Sequence, residues 1–141
     1  MYFLYTQTME IKTRIVAIII KNGKLLMLKG KGYDELWTPG GKIEPGENEE
    51  YCLKRELKEE IGVQISGLSF FKEYSGKSFY NPNQIMNQKV FITSISGEIK
   101  PDAEIESFIW LTRDDFKNEK FPMIPITKER ILPDLIEQGI F

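Results

Sequence analysis

The segment RIVAIII, residues 14–20, is apolar at every position after Arg14 and rich in β-branched side chains. A strand with one wet face alternates, so this unbroken run predicts a strand covered on both faces. Asn22-Gly23 follows, a pair that tolerates positive φ at both turn positions and predicts a two-residue hairpin. KLLMLKG (24–30) is then the partner strand. Residues 31–42 are rich in Gly and Pro and read as a loop, with a short strand around Leu36–Thr38. A helix is predicted over 48–61: Asn48 can cap it, Glu49 and Glu50 suit its first turn, and Gly62 can end it in a left-handed conformation.

Beyond the helix, 63–76 returns to strand character and 77–88 reads as a polar loop with embedded aromatics. Residues 89–99 form another strand, bent or ended near Gly97, and 107–111 a short one. A helix capped by Thr112 is expected over 112–118, and a terminal helix over 127–139, kinked or interrupted near Pro133. Strands and helices mix without strict alternation. The pattern predicts a mixed sheet flanked by helices, an α/β (α+β) fold in one domain over 1–141.

Composition then removes several kinds of chemistry. With no histidine, His-based nucleophilic triads and zinc sites with His ligands are excluded. The net charge is −2 and no segment carries a basic stripe, which disfavours a nucleic-acid polymer as partner. The single cysteine, Cys52, has no internal partner and reads as a small core residue. The N-terminal stretch lacks the pattern of a secretory leader, and Ile15–Ile20 is too short to span a bilayer, so a cytoplasmic location away from membranes is expected.

Within the predicted helix, three glutamates crowd into 56–60. At about 100° per residue, Glu60 lies roughly 40° from Glu56 on one side and Glu59 roughly 60° on the other. Leu53 and Leu57 flank that face on its apolar side, so the acids border the core. Like charges one turn apart repel, and crowding them at a core edge raises their pKa values unless a cation offsets them. Hard oxygen ligands in a cluster suit Mg²⁺ or Mn²⁺. Gly40-Gly41 ahead of the helix frees a backbone carbonyl to approach the same ion. LKRELKEE alone, however, reads first as an ordinary solvated, mixed-charge face.

The surrounding frame changes the balance. Gly41, Glu47, Arg55-Glu56-Leu57, Glu59-Glu60, Gly62 and Val63 fill the pattern G-x5-E-x7-R-E-U-x-E-E-x-G-U, where U is aliphatic. The segment 41–63 thereby resembles the signature of the Nudix (MutT-like) hydrolases at every position, and the order of strands and helices around it is similar to the whole family domain. The resemblance implies an α/β/α sandwich with a loop–helix–loop catalytic motif. It also implies Mg²⁺-dependent hydrolysis of a nucleoside diphosphate linked to a further group. Glu56, Glu59 and Glu60 would hold the cation, with the Gly40 carbonyl as a further ligand. Arg55 would orient Glu56 or pair with Glu47. With no histidine, the general base is a carboxylate: Glu56, Glu59, or Glu104, which opens a segment similar to a second family pattern ahead of Trp110.

Substrate identity is less legible. Lys42 is a candidate phosphate contact. Tyr33, Phe79, Tyr80 and Phe121 can stack on a base, and Asn81, Asn83, Gln84, Asn87 and Gln88 can read its edge. Trp37 and Trp110 read as core. The leading expectation is a small nucleotide: a nucleoside triphosphate, oxidised purines included, cleaved to the monophosphate and pyrophosphate by a monomer or homodimer. Tyr80, 17 residues beyond Val63, resembles a marker of dinucleoside-polyphosphate hydrolases and keeps that class as the alternative. A non-catalytic nucleotide-binding module on the same fold is the second, disfavoured because every box glutamate is present.

Overall fold

The computed structural model describes residues 8–141. Residues 1–7, where the stretch read above as carrying no leader begins, lie outside them. Strand β1 (Glu10–Ile18) leaves the first sheet at Ile19, and β2 (Ile20–Lys21) pairs with β3 (Lys24–Gly30) in a second sheet. The apolar run is therefore shared between two sheets. Asn22 and Gly23 have φ of 53° and 75°, the two positive values that their turn requires.

The first sheet has the order β4-β1-β6-β5, with β4 (Gly40–Lys42), β5 (Gln64–Lys77) and β6 (Gln84–Ser96). Its β1–β6 pairing is parallel, whereas β4 and β5 are antiparallel to their neighbours. The second sheet is β2-β3-β7, with β7 (Ile105–Leu111) antiparallel to β3. Alternate residues of these strands enter two separate cores. Ile15, Ala17, Leu26, Leu28 and Phe91 pack with Leu53, Leu57 and Ile61 of helix α1 (Glu49–Ile61). Val16, Ile18, Leu25, Met27 and Val90 pack with Ile131, Leu132 and Leu135 at the C-terminus. The sheets thus lie between two helical layers, and this double coverage is why RIVAIII and LLML are apolar without alternation.

Three local expectations differ from what forms, and a fourth, the end of the 89–99 strand near Gly97, falls where expected. Residues 84–88 are strand, not loop, because they pair with β1 on one side and β5 on the other, and that pairing overrides their polar composition. Leu36 and Trp37 make only isolated bridges, to Met123 and Leu28, and Pro39 cannot donate to extend them. β6 stops at Ser96, ahead of Gly97 at φ 101°. The terminal helix begins as a π-helical turn, Thr127–Ile131, in which Leu132 N–H donates to Thr127 O, and becomes α3 (Leu132–Glu137) only afterwards. Pro133 sits in the first turn of α3, where its missing N–H costs little. Helix α2 (Arg113–Lys117) carries the expected Thr112 cap, reciprocated by Asp115.

Candidate active site

Helix α1 is fixed at both ends. Asn48 Oδ1 accepts from Tyr51 N–H at 2.8 Å, and Gly62 closes the helix at φ 69°. Leu53, Leu57 and Ile61 share a buried stripe, and Glu60 lies on it, 2% exposed. The last carbonyls of α1 also hold the segment that carries Glu104. Lys100 N–H donates to Ile61 O, and Asp102 N–H to Glu60 O, both at 2.9 Å. On the other side, Lys31 N–H donates to Glu104 O at 2.8 Å.

This framework brings carboxylate oxygens of Glu56, Glu60 and Glu104 within 4.8 Å of one another. Glu59 is not in that group. Its side chain is 55% exposed and meets Arg55 Nη1 at 3.4 Å. Arg55 is the organiser of the outer side. Its Nε and Nη2 form a fork on Glu47, at 2.6 and 2.8 Å, and its Nη1 reaches Glu56 at 2.9 Å. Arg55 thus ties the loop ahead of α1 to the carboxylate at the centre of the cluster.

The two glycines before α1 are required by close approach. A Cβ on Gly40 would stand 2.0 Å from Ile15 O, and one on Gly41 would stand 2.1 Å from Glu56 Cδ. Gly40 N–H donates to Glu60 Oε1 at 3.0 Å. Strand β4 is therefore laid directly against α1, with its backbone touching two of the three clustered acids.

Electrostatics follow from this burial. Desolvation pushes the Glu60 carboxyl up to about 8, opposed by Arg14 and by the Gly40 N–H. Desolvation raises Glu56 as well, opposed by Arg55. Glu47 moves the other way, to about 2, because the Arg55 hydrogen bonds favour its charged form. Burial carries the Cys52 thiol up to about 12, which fits an inert core residue. Two inner carboxylates are disfavoured as anions while the outer one is strongly favoured. An additional cation among Glu56, Glu60 and Glu104 would relieve that strain, and three hard oxygen donors fit a divalent one.

Arg14, which the sequence reading passed over, is the cation already present. It alternates with Val16 and Ile18 along β1, so its side chain emerges on the cavity side of the sheet. Nη1 donates to Thr38 Oγ1 at 3.4 Å and Nη2 to Thr38 O. Burial lowers its pKa, and the nearby charges of Glu60 and Glu56 oppose that shift. The available signal was one arginine opening an otherwise apolar strand.

Arg14, Glu56, Glu60 and Glu104 line a cavity of about 750 Å³. Lys42, opposite Arg14 in the β1–β4 ladder, also lines it. Tyr33, Phe79 and Tyr80 and residues 124–126 line it too. Tyr33 and Tyr80 stand 4.7 Å apart between ring centroids, and Tyr80 Oη donates to Glu35 at 2.9 Å. Trp37 reaches the cavity and meets Tyr33 edge-on, so it serves as wall as well as core. Gln84 and Gln88 line the cavity but Asn87 does not, because strand alternation turns it to the opposite face of the sheet. Phe121 lies outside the lining and packs against the C-terminal core.

A layered fold with a carboxylate-lined helix at the edge of such a cavity defines a class, and comparison with known proteins agrees on it. The family model "NUDIX domain" matches residues 11–135. The 8-oxo-dGTP diphosphatase of Buchnera aphidicola subsp. Schizaphis graminum is 37% identical over 112 residues, covering 77% of this chain and 82% of that protein. NAD-capped RNA hydrolase NudC of Photobacterium profundum is 38% identical over 72 residues, half of this chain and 25% of that one. In three dimensions the E. coli ORF135 protein superposes with a TM-score of 0.73 at 20% identity, over 93% of each chain. MutT of Burkholderia pseudomallei gives 0.67 at 22% identity, over 74% of this chain and 85% of that one. The chain belongs to the Nudix hydrolase family. It is a hydrolase of phosphoric anhydride bonds, in a family that works with divalent metal ions. Among the described residues, no helix is long and apolar enough to cross a membrane.

Proposed function

We propose that this enzyme hydrolyses a nucleoside triphosphate, oxidised purine nucleotides included, to the monophosphate and pyrophosphate with Mg²⁺. One observation carries the reading. The clustered carboxylates and the cations Arg14 and Lys42 line the same cavity, of nucleotide size, as the aromatic side chains of Tyr33, Phe79 and Tyr80. The resemblance over 112 residues to an 8-oxo-dGTP diphosphatase points the same way.

In this reading Glu56, Glu60 and Glu104 hold the cation, with the Gly40 carbonyl beside them. A divalent cation held there would supply charge to offset that of the phosphate oxygens and would make water more acidic. Lys42 and Arg14 take up further phosphate charge from the floor of the sheet. The attacking water forms a new P–O bond while the bridging P–O bond breaks, and the bridging oxygen keeps the electron pair. The water proton passes to a carboxylate at the rim, for which Glu59 and Glu104 are the exposed candidates. Arg55 and Glu47 do not touch the reacting atoms and instead keep Glu56 in place.

The test is a panel of nucleoside triphosphates, 8-oxo-dGTP, dinucleoside polyphosphates, ADP-ribose, nucleotide sugars and NAD-capped RNA, each with Mg²⁺ and with EDTA. Preferential release of pyrophosphate from a triphosphate supports the proposal. Faster turnover of a dinucleoside polyphosphate or a capped RNA refutes the substrate class.

A further inference from the structure

Of the three clustered acids, Glu56 and Glu60 project from α1, whereas Glu104 lies on the connection between β6 and β7. Its side chain is exposed, and two like charges face it within 4.8 Å. Repulsion from Glu56 and Glu60 favours turning it outward. The direction of its Cα–Cβ bond, which the backbone sets, therefore decides whether it stays. That backbone is strained at one position. Ala103 has φ 52°, in the left-handed region that glycine enters freely and other L-residues enter at a cost. Ile105 N–H donates to Asp102 O at 3.0 Å, which closes residues 102–105 into a turn. Positive φ at its second residue and not at its third is the pattern of a type II′ turn, which usually has glycine there. With alanine in that place, the turn needs to be held from outside.

Lys31 holds it. Its Nζ donates to Ala103 O and its main-chain N–H to Glu104 O, both at 2.8 Å. These carbonyls belong to the two peptide planes that meet at the Glu104 Cα. One residue thus pins both planes, and with them the direction in which the Glu104 side chain leaves the chain. Lys31 stands just past a slip in the β3–β7 ladder, where Lys29 faces Ser107 and Gly30 faces Ile105. Such irregularities re-aim side chains beside active sites. Lys31 itself is not among the residues that line the cavity.

We propose that Lys31 is a positioning residue: by pinning the strained turn at Ala103 it aims Glu104 into the carboxylate cluster. The inference rests on Glu104 as a cation ligand in the proposed function. It adds what keeps Glu104 there against the repulsion of the other two acids.

The experiment measures Lys31→Met, alone and in an Ala103→Gly background, beside Glu104→Gln. The readouts are kcat and KM with Mg²⁺ on the best substrate of the panel, Mn²⁺ affinity by electron paramagnetic resonance, and hydrogen exchange of the Ile105 amide in the metal-free protein. Lys31→Met should lower kcat by about tenfold and Mn²⁺ affinity by about fivefold, with KM within about threefold. Exchange at Ile105 should quicken by about tenfold as the turn opens. In the Ala103→Gly background the left-handed turn costs little, so adding Lys31→Met should lose less than about threefold in kcat. A lysine that acts through its charge alone would lose the same factor in both backgrounds, and that result overturns the proposal. It is also overturned if Lys31→Met keeps kcat and Mn²⁺ affinity within about twofold while Glu104→Gln loses both, or if the loss falls in KM alone. If Glu104→Gln changes neither kcat nor Mn²⁺ affinity, the ligand set of the proposed function fails instead. Faster Ile105 exchange in Lys31→Met would then still assign the hold on the turn to Lys31, and unchanged exchange would overturn that as well.

Discussion

Gly41→Ala is the most exacting test of the site. Its added Cβ would lie 2.1 Å from Glu56 Cδ and 2.3 and 2.5 Å from the two carboxylate oxygens. Non-bonded carbons come to rest near 3.5 Å, so the carboxylate must withdraw by about 1.5 Å. It is not free to do so in place. Arg55 Nη1 holds Glu56 at 2.9 Å, and the same guanidinium is forked onto Glu47. The expected result is a Glu56 carboxylate displaced from Glu60 and Glu104. Misplacement of a reacting group by about 1 Å costs about 100-fold in rate, so kcat should fall by that order or more. The backbone should tolerate alanine, because Gly41 is not among the positive-φ glycines. The melting temperature of the metal-free protein should therefore move by only a few degrees. The assays are Mg²⁺-dependent pyrophosphate release on the best substrate, Mn²⁺ affinity by electron paramagnetic resonance, and thermal unfolding by circular dichroism. Retention of kcat within about threefold, in a folded variant, would refute the claim that contact between β4 and Glu56 sets the cluster.

Three further outcomes follow from the same geometry. In the metal-free protein, the Glu60 carboxyl is raised from 4.5 to about 8. Its contribution is therefore fully present below about pH 4.5 and is lost as pH rises towards 8, at up to about 1.4 kcal/mol per unit. Urea unfolding at several pH values should show that slope in wild type and a flatter one in Glu60→Gln, and identical slopes would remove the buried-acid argument. Arg55→Lys cannot reproduce the fork on Glu47 while holding Glu56, so kcat should drop by about 10–100-fold with a smaller change in KM. Steady-state kinetics showing the loss in KM alone would contradict a positioning role. Tyr74→Phe deletes the 2.6 Å bond to Asp134 that ties β5 to α3, and should cost about 1–2 kcal/mol with activity intact, as read by urea unfolding beside the kinetic assay.

Much of the fold was readable because its signals are local. Asn22-Gly23, the Asn48 and Thr112 caps and Gly62 each fix a backbone conformation through their own side chain or its absence, and each occurs where the sequence places it. The strand at 84–88 was not readable, because nothing local favours it. It exists through its two neighbours in the sheet. The same holds for the site. Spacing alone placed Glu56 and Glu60 on one helical face, but the helix period cannot say which acid meets a partner from elsewhere. Glu104 joins them because the backbone of 100–102 is anchored to the end of α1, and Glu59 turns to Arg55 instead. Arg14 was hidden by a different limit. Its importance lies in which strand lies beside which, and the β1–β4 register that sets it opposite Lys42 is a long-range fact.

The anchoring of residues 100–102 to α1 has a consequence for how this chain can change. Two main-chain hydrogen bonds at 2.9 Å, to Ile61 and Glu60, fix the path length from Gly62 round to Glu104. A residue inserted between Lys100 and Glu104 would swing one acid away from the other two, whatever its identity. The hairpin connection 78–83, which presents Phe79 and Tyr80 to the cavity, shares none of those bonds. Its length and composition can therefore drift or be redesigned while the hydrolytic end stays in register, so one chain can explore new leaving groups without rebuilding its chemistry.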